Sequence, residues 1–234
     1  MRLKLVFNLK ENAFPKDYRR VFMSFIKKSL QSYDEMLYTK YYKNQDPILK
    51  DYTFSVYFGK CKFLDFIELE NTNLSLFFST PSYTTGAYFY NAFMNMKFEA
   101  FPIKGNSLKL TKIIKIPEKV IHKNEVIVKT LSPILIREHT KETDKFYYFD
   151  EDKAIDILKE NIKYQYTKLF DYKISDFTIK PLDIKKTTVL NYNKKIKSNL
   201  GIFKISGDTK LLGFLYKSGI GSKRSSGFGM VEII

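Results

Sequence analysis

The sequence predicts an α+β protein made of two tandem ferredoxin-like (RRM-like) βαββαβ domains packed together. Three observations carry this reading. Apolar residues recur at period two and then at helical spacing, in the order strand, helix, strands, helix, strand. The second half repeats that order. No linker rich in Gly, Pro or Ser separates the halves, and the boundary falls near 117–124, around Pro117 and His122. The expected domains are therefore 1–120 and 121–234.

The elements follow in order. Residues 2–9 place Leu3, Leu5, Phe7 and Leu9 on one face of a half-buried strand. Pro15 opens a helix with Val21, Phe22, Phe25, Ile26, Ser29 and Leu30 on one stripe, since its missing N–H had no intrahelical partner. Residues 33–51 are polar and rich in Tyr and Lys, and read as a loop. Strand-like runs follow at 52–58, 63–69 and 74–79. Thr80-Pro81-Ser82 opens a second helix through about Phe93, and 107–116 returns to strand character. In the second half 125–131 reads as a strand. Asp150 is placed to cap a helix carrying Ile155, Leu158, Ile162 and Tyr166. Strands are expected near 174–190 and 201–206. Asp208 can cap a short helix with Leu211, Leu212 and Leu215, Gly219 can stop it, and 229–234 closes as a strand.

Composition narrows the function. Hydrophobic residues make up 44% and charged residues 28%, which excludes a disordered, collagen-like or membrane-bundle protein. Cys61 is the one cysteine, so neither an intrachain disulfide nor a cysteine metal cluster can form. No metal and no cofactor are expected. The start Met1-Arg2-Leu3-Lys4 lacks a signal-peptide apolar core, and no run of about 18 apolar residues occurs, so the expected location is the cytoplasm and no membrane partner is expected. The formal net charge is +15, a field that attracts polyanions. It is concentrated: residues 180–224 hold ten Lys and one Arg against Asp183 and Asp208.

The strongest motif is residues 219–229, Gly-Ile-Gly-Ser-Lys-Arg-Ser-Ser-Gly-Phe-Gly, with four of the ten glycines. Gly219, Gly221 and Gly227 allow backbone N–H groups to approach an oxyanion. Lys223, Arg224 and nearby Lys217 add charge, and Ser222, Ser225 and Ser226 add hydroxyl donors. The run is not a Walker A loop, because it follows a helix, precedes a strand and has no Gly directly before the Lys. A basic, glycine-rich, serine-bearing loop on a ferredoxin-like fold points to nucleic acid, and to RNA first.

The run 219–233 (GIGSKRSSGFGMVEI) resembles the C-terminal glycine-rich motif of the RAMP superfamily, and within it the CRISPR-associated endoribonuclease that cuts repeat transcripts into guide RNAs, the sixth of the Cas proteins. Two further blocks agree: Lys129-Thr130-Leu131-Ser132-Pro133-Ile134 followed by Arg137-Glu138-His139, and Tyr52-Thr53-Phe54-Ser55. The resemblance covers essentially the whole chain. It implies binding of CRISPR repeat RNA, as precursor and as mature guide, with Arg137 joining the loop as a binding residue. It implies metal-independent cleavage: the ribose 2′-OH attacks the neighbouring phosphate, leaving a 2′,3′-cyclic phosphate and a 5′-OH. Other CRISPR effector subunits and a second copy of the chain are its further partners.

One departure is plain. Many members place a catalytic His in the loop after the first helix, and no His precedes His122 here. The corresponding segment offers Tyr38, Lys40, Tyr41, Tyr42 and Lys43, while Lys50 matches a lysine that the family uses to stabilise charge on the phosphate, and Lys27 falls where some members have a tyrosine. Three readings stay open. Tyr38, Tyr41 and Tyr42 carry the proton transfers beside Lys50, His139 reaches the site from the second domain, or the protein is a non-cleaving repeat-RNA binder or scaffold.

Overall fold

The computed structural model describes residues 1–44, 48–140, 143–170, 174, 176–191 and 194–234. The chain divides into two compact units, Met1–Lys50 with Ser55–Pro117, and Asp51–Phe54 with Glu118–Ile234.

The first unit holds β1 (Arg2–Leu9), β2 (Ala13–Phe14), α1 (Tyr18–Tyr33), α2 (Glu35–Tyr42), all but the first two residues of β3 (Thr53–Tyr57), β4 (Cys61–Phe63), β5 (Ile67–Leu69), β6 (Asn73–Ser79), α3 (Tyr83–Asn95), β7 (Ala100–Ile103) and β8 (Asn106–Ile116). Its main sheet runs β3-β6-β1-β8-β7, and β2-β5-β4 form a small second sheet. Leu3, Leu5, Phe7 and Leu9 are buried, as the period-two pattern requires. The Phe7 ring meets Phe22 and Phe25 of α1 at 5.7 and 5.1 Å. Phe78 of β6 meets Phe89 and Phe93 of α3 at 5.0 and 5.5 Å. Each such ring contributes about 2 kcal/mol by leaving water. Ser82 caps α3 by accepting from the Thr85 N–H at 3.1 Å.

The segment expected as a loop contains α2. Asp34 caps it, accepting from the Leu37 N–H at 3.0 Å, with Glu35 in the first turn and Lys40 in the last. Acid at the N-terminus and base at the C-terminus both suit the helix dipole. Only Tyr41 of its eight residues is buried, so no apolar stripe betrays it in the sequence.

The second unit holds β9 (Glu125–Thr130), β10 (Ile136–His139), β11 (Asp144–Tyr147), α4 (Ala154–Phe170), β12 (Thr178–Asn191), β13 (Lys194–Ser206), α5 (Thr209–Ser218), a 3-10 turn at Arg224–Ser226 and β14 (Val231–Ile233). The sheet runs β12-β13-β9-β14, and β10 and β11 form a separate hairpin. Setting aside the small sheet, the short β7, helix α2 and the β10–β11 hairpin, both units share one plan: strand, helix, two strands, helix, strand. In each sheet those strands lie second, third, first, fourth, which is the ferredoxin-like arrangement. Leu158 and Ile162 of α4 pack with Phe203, Ile205, Leu211 and Leu215 in the core. Asp208 caps α5, accepting from the Leu211 N–H at 2.8 Å, and Gly219 ends it at φ 83°. Asp150 does not cap α4. Its carboxylate pairs with Lys186 at 2.6 Å, and α4 starts at Ala154. No helix among the described residues is long and apolar enough to cross a membrane.

Candidate functional site

Two cationic clusters stand out, one in each unit. The first is built on α1, α2 and the segment after α2. The ammonium groups of Lys27 and Lys50 lie 5.2 and 5.0 Å from the centre of one ring, Tyr42. Tyr38, one helical turn earlier, meets Tyr42 at 5.7 Å, and Lys43 lies 5.0 Å from the Tyr38 ring. Lys43 also pairs with Glu35 at 3.3 Å, whereas Lys27 and Lys50 form no ion pair among the described residues. Burial first, and the Lys27 charge second, hold the Lys50 ammonium below the usual lysine range. This is a half-buried pair of like charges over aromatic faces, an arrangement that an arriving anion would relieve.

Tyr41 does not belong to it. Its side chain is buried, its hydroxyl shares a 3.1 Å hydrogen bond with Thr85 Oγ1, and its ring packs edge-on to Phe89. On a helix, Tyr38 and Tyr42 share a face four residues apart and Tyr41 turns away from it.

The second cluster surrounds the glycine-rich loop. Most of that loop is turned inward. At Gly229, with φ 72°, an added Cβ would stand 1.9 Å from the Ile220 carbonyl oxygen. At Gly221, with φ 84°, it would stand 2.5 Å from the Leu135 carbonyl oxygen. The open sides of these glycines therefore receive the protein's own backbone, where a close approach to phosphate was expected. Gly219 and Gly227 likewise face Gly229 and the Phe54 ring. Loop amides are consumed internally as well: Ile220 donates to Gly229, Ser222 to Leu135 and Gly229 to Pro133. Ser132 Oγ accepts from the Met230 N–H at 2.9 Å, so the serine-proline block and the glycine block brace each other. From α4, Gln165 donates to the Gly221 carbonyl and Asn161 accepts from the Ser222 hydroxyl at 2.6 Å.

Neighbouring basic residues of the loop have opposite fates. Arg224 is 3% exposed; its Nη1 donates to the Ser218 carbonyl and its guanidinium lies 5.4 Å from the Phe214 ring. Burial, opposed by Asp51, pulls its pKa down to about 10, so it stays charged at neutral pH as an internal brace. Lys217 is paired with Glu118 at 2.7 Å. Arg224 and Lys217 thus hold the loop together and are poorly placed to meet a polyanion. Lys223, in the left-handed conformation, is half-buried over the Phe146 ring. Ser225 and Ser226 are partly exposed, and the backbone amides of Lys223, Arg224 and Ser225 donate to no acceptor among the described residues.

Facing Lys223 is the β10–β11 hairpin. Arg137 pairs with Asp144 at 2.9 Å, and His139 Nδ1 lies 2.7 Å from the same carboxylate and 2.8 Å from the Arg137 guanidinium. Burial works against the Asp144 charge, but the bonds to His139 and Arg137 outweigh it and hold this carboxyl below its usual range. For Lys223, burial and Arg137 lower the ammonium's pKa while Asp144 opposes them. Asp144, Phe146 and Lys194, which also repels Lys223, were not singled out from the sequence. The register His139↔Asp144 is the signal that could have found Asp144, because a hairpin turn makes these two residues cross-strand partners.

Comparison with known proteins bears on the fold of the chain and on the family of its second unit. Residues 116–233 match the family model described as CRISPR associated protein Cas6, C-terminal. The CRISPR-associated endoribonuclease-like protein Cas6nc of Pyrococcus horikoshii is 31% identical over 116 residues, which cover 47% of this chain and 48% of the relative. The CRISPR-associated endoribonuclease Cas6 1 of Methanocaldococcus jannaschii is 29% identical over 136 residues, covering 53% and 49%. The chain thus spans about half the length of the curated relatives it matches. The solved structure of a Cas6-related gene product from Pyrococcus furiosus superposes with a TM-score of 0.86 at 23% identity, covering 100% of this chain and 98% of that one. A RAMP protein that binds different RNA substrates superposes at 0.84 and 25% identity, covering 100% and 99%. With half of its length matched by the family model and both ferredoxin-like units aligned to solved members of that fold, this chain belongs to the CRISPR-associated Cas6 family.

Proposed function

We propose that this chain binds CRISPR repeat RNA and cuts it without a metal, by attack of a ribose 2′-oxygen on the adjacent phosphorus. The P–O5′ bond breaks, giving a 2′,3′-cyclic phosphate and a 5′-OH. In this reading the two segments 1–120 and 121–234 divide the work, cleavage in the first and repeat binding in the second. The observation that carries it is the Lys27–Tyr42–Lys50 cluster, two cations over one phenol with no acidic partner among the described residues. Lys50 and Lys27 meet the charge that accumulates on the phosphorane. The Tyr42 hydroxyl, with Tyr38 beside it, would carry the proton transfer from the 2′-oxygen and to the leaving 5′-oxygen. Lys223, with Arg137 and the partly exposed Ser225 and Ser226, would take the RNA backbone. His139, with one ring nitrogen engaged and the ring exposed, is the alternative proton-transfer group.

The second reading, a repeat-RNA binder that does not cut, is favoured by one observation: both histidines, His122 and His139, lie outside the first unit. Incubation with repeat RNA in EDTA separates the two. Product ending in a cyclic phosphate, absent when the scissile ribose is 2′-deoxy, supports the enzyme. Tight binding with no product sinks it and leaves the binder. His139→Ala and the Phe variants of Tyr38 and Tyr42 then assign the proton transfers.

A further inference from the structure

A pocket in the first unit belongs to neither cationic cluster. Strand β3 ends at Tyr57, and the chain turns through Phe58, Gly59 at φ 69° and Lys60 into β4. The turn after β5 returns through Asn71 to Asn73, the first residue of β6. Backbone bonds fix both turns: the Glu70 N–H donates to the Lys60 carbonyl at 3.0 Å, and the Leu9 N–H to the Thr72 carbonyl at 2.8 Å. These turns line a cavity of about 210 Å³. Phe58 and Leu74, both buried, give it an apolar lining, and Tyr57, 62% exposed, lines it as well. The polar groups of the cavity are uncommitted. Among the described residues, no hydrogen bond engages the side-chain amides of Asn71 and Asn73 or the Ser75 hydroxyl. Ser75 is 7% exposed and lines the cavity, so its hydroxyl is withdrawn from bulk water with no partner among those residues. A ligand that supplies the missing partner removes that cost.

The chemistry of the lining selects the ligand. Drug-sized ligands occupy about 300–1,000 Å³, so this cavity suits a single ring system. Lys60 is the one charged residue of the lining, and Glu70 already answers it at 3.7 Å. A phosphate finds no uncompensated cation there, and a cationic ligand finds no carboxylate in the lining. What fits is a neutral, planar group with donors and acceptors along its edge, which is a nucleobase. The exposed tyrosine ring offers it a stacking surface. An asparagine amide matches adenine best, donating to N7 and accepting from the N6 amino group. We propose that this pocket takes one unpaired nucleobase of a bound RNA strand, adenine by preference, stacked on Tyr57 and hydrogen-bonded by Asn71, Asn73 and Ser75. The proposal rests on the reading of the chain as a repeat-RNA binder. It gives that binding a base preference, which phosphate contacts at Lys223 do not supply.

Two measurements on the full chain test it. In the first, each unpaired adenosine of the repeat RNA is made abasic in turn, and affinity is read by fluorescence anisotropy. One position should cost the wild-type chain about tenfold, the scale of one stacked base, and should cost Y57A and N73A almost nothing. Both variants should bind the intact RNA about tenfold more weakly, with an unchanged slope of log affinity against log salt, because no phosphate contact is lost. Y57F, which keeps the ring, should bind as the wild type does. Both substituted residues are exposed, and circular dichroism should be unchanged. In the second, adenosine alone is titrated into nitrogen-labelled chain; the Asn71 and Asn73 side-chain amide resonances should move saturably, and uridine should move them less. Tight RNA binding that is indifferent to Y57A, N73A and every abasic position overturns the pocket and leaves the repeat-binding reading standing. A chain that binds no RNA but answers adenosine overturns that reading and the RNA source together, and makes the pocket a free-nucleoside site. Silence in both measurements overturns the pocket outright.

Discussion

The two cationic clusters differ in what stands beside the charge. Around Lys223, the carboxylate of Asp144 sits against Arg137 and His139, and the group is electrostatically settled before any ligand arrives. Around Lys50 the described neighbours are a second ammonium and a phenol ring. Cation–π attraction, about 0.5–2 kcal/mol, only partly offsets the burial of a charge. The first cluster therefore holds free energy that an anion can release, and the second presents a steady basic surface. The comparison teaches that the more conspicuous motif is not the one with open charge: the glycine loop is spent largely on its own packing, and the tyrosine segment leaves its cations without an acidic partner among the described residues.

Breaking the glycine loop should give the largest effect. Gly229→Ala places a Cβ 1.9 Å from the Ile220 carbonyl oxygen at a positive φ, so the second unit should lose more than about 3 kcal/mol, read as lost solubility or a collapsed thermal transition. Equal stability would mean that the loop has room it does not show. Next comes Lys50→Met. If the first cluster works as proposed, single-turnover cleavage should fall tenfold or more, about 1.4 kcal/mol, with RNA affinity little changed. The same variant should melt higher. The Lys50 pKa is lowered from 10.5, so its penalty sets in as pH falls below that unfolded value and is complete below the folded one. At neutral pH the penalty is fully present, and the uncharged side chain removes it. A variant that melts lower and cuts normally would contradict both statements.

Smaller effects sharpen the contrast within each region. Tyr41→Phe removes the hydrogen bond to Thr85 and should cost about 1 kcal/mol of stability at an unchanged cleavage rate. Tyr42→Phe should show the reverse. Lys223→Ala should lower the slope of log affinity against log salt by about 0.7, while Lys217→Ala, removing an ammonium already paired with Glu118, should leave the slope unchanged. Matching slopes for the two variants would erase the distinction between a presented and a committed lysine.

Legibility in the sequence followed the range of the interaction responsible. Leu3, Leu5, Phe7 and Leu9 read correctly because strand alternation is local, and Asp208 read correctly because its acceptor role reaches only three residues on. Helix α2 was missed because its stability rests on a cap and end charges, with little apolar stripe to reveal it. The glycine loop was found but its direction was not. Which way a missing Cβ points depends on Leu135, Ile220 and Phe54, and no spacing within the loop reports that. Lys223 and Arg224 look equivalent in sequence. The left-handed turn at Lys223 separates them, and only Phe214 and the Ser218 carbonyl explain why the second points inward.

The second unit is also discontinuous along the chain. Its short segment 51–54 brings the Thr53 hydroxyl to the Phe228 carbonyl at 2.8 Å, across a separation of 175 residues. Phe54 lines the loop at Gly227. A contact of that span carries a loop-closure entropy that prior ordering of the intervening chain reduces. The glycine loop is therefore expected to be among the last parts of the molecule to acquire its native form in refolding. Until then its glycine-rich backbone is open to proteases, so limited digestion during refolding should cut between Gly219 and Gly229 long after the strands are protected. If digestion follows that course, a fully closed loop marks a chain that has already folded nearly everywhere else.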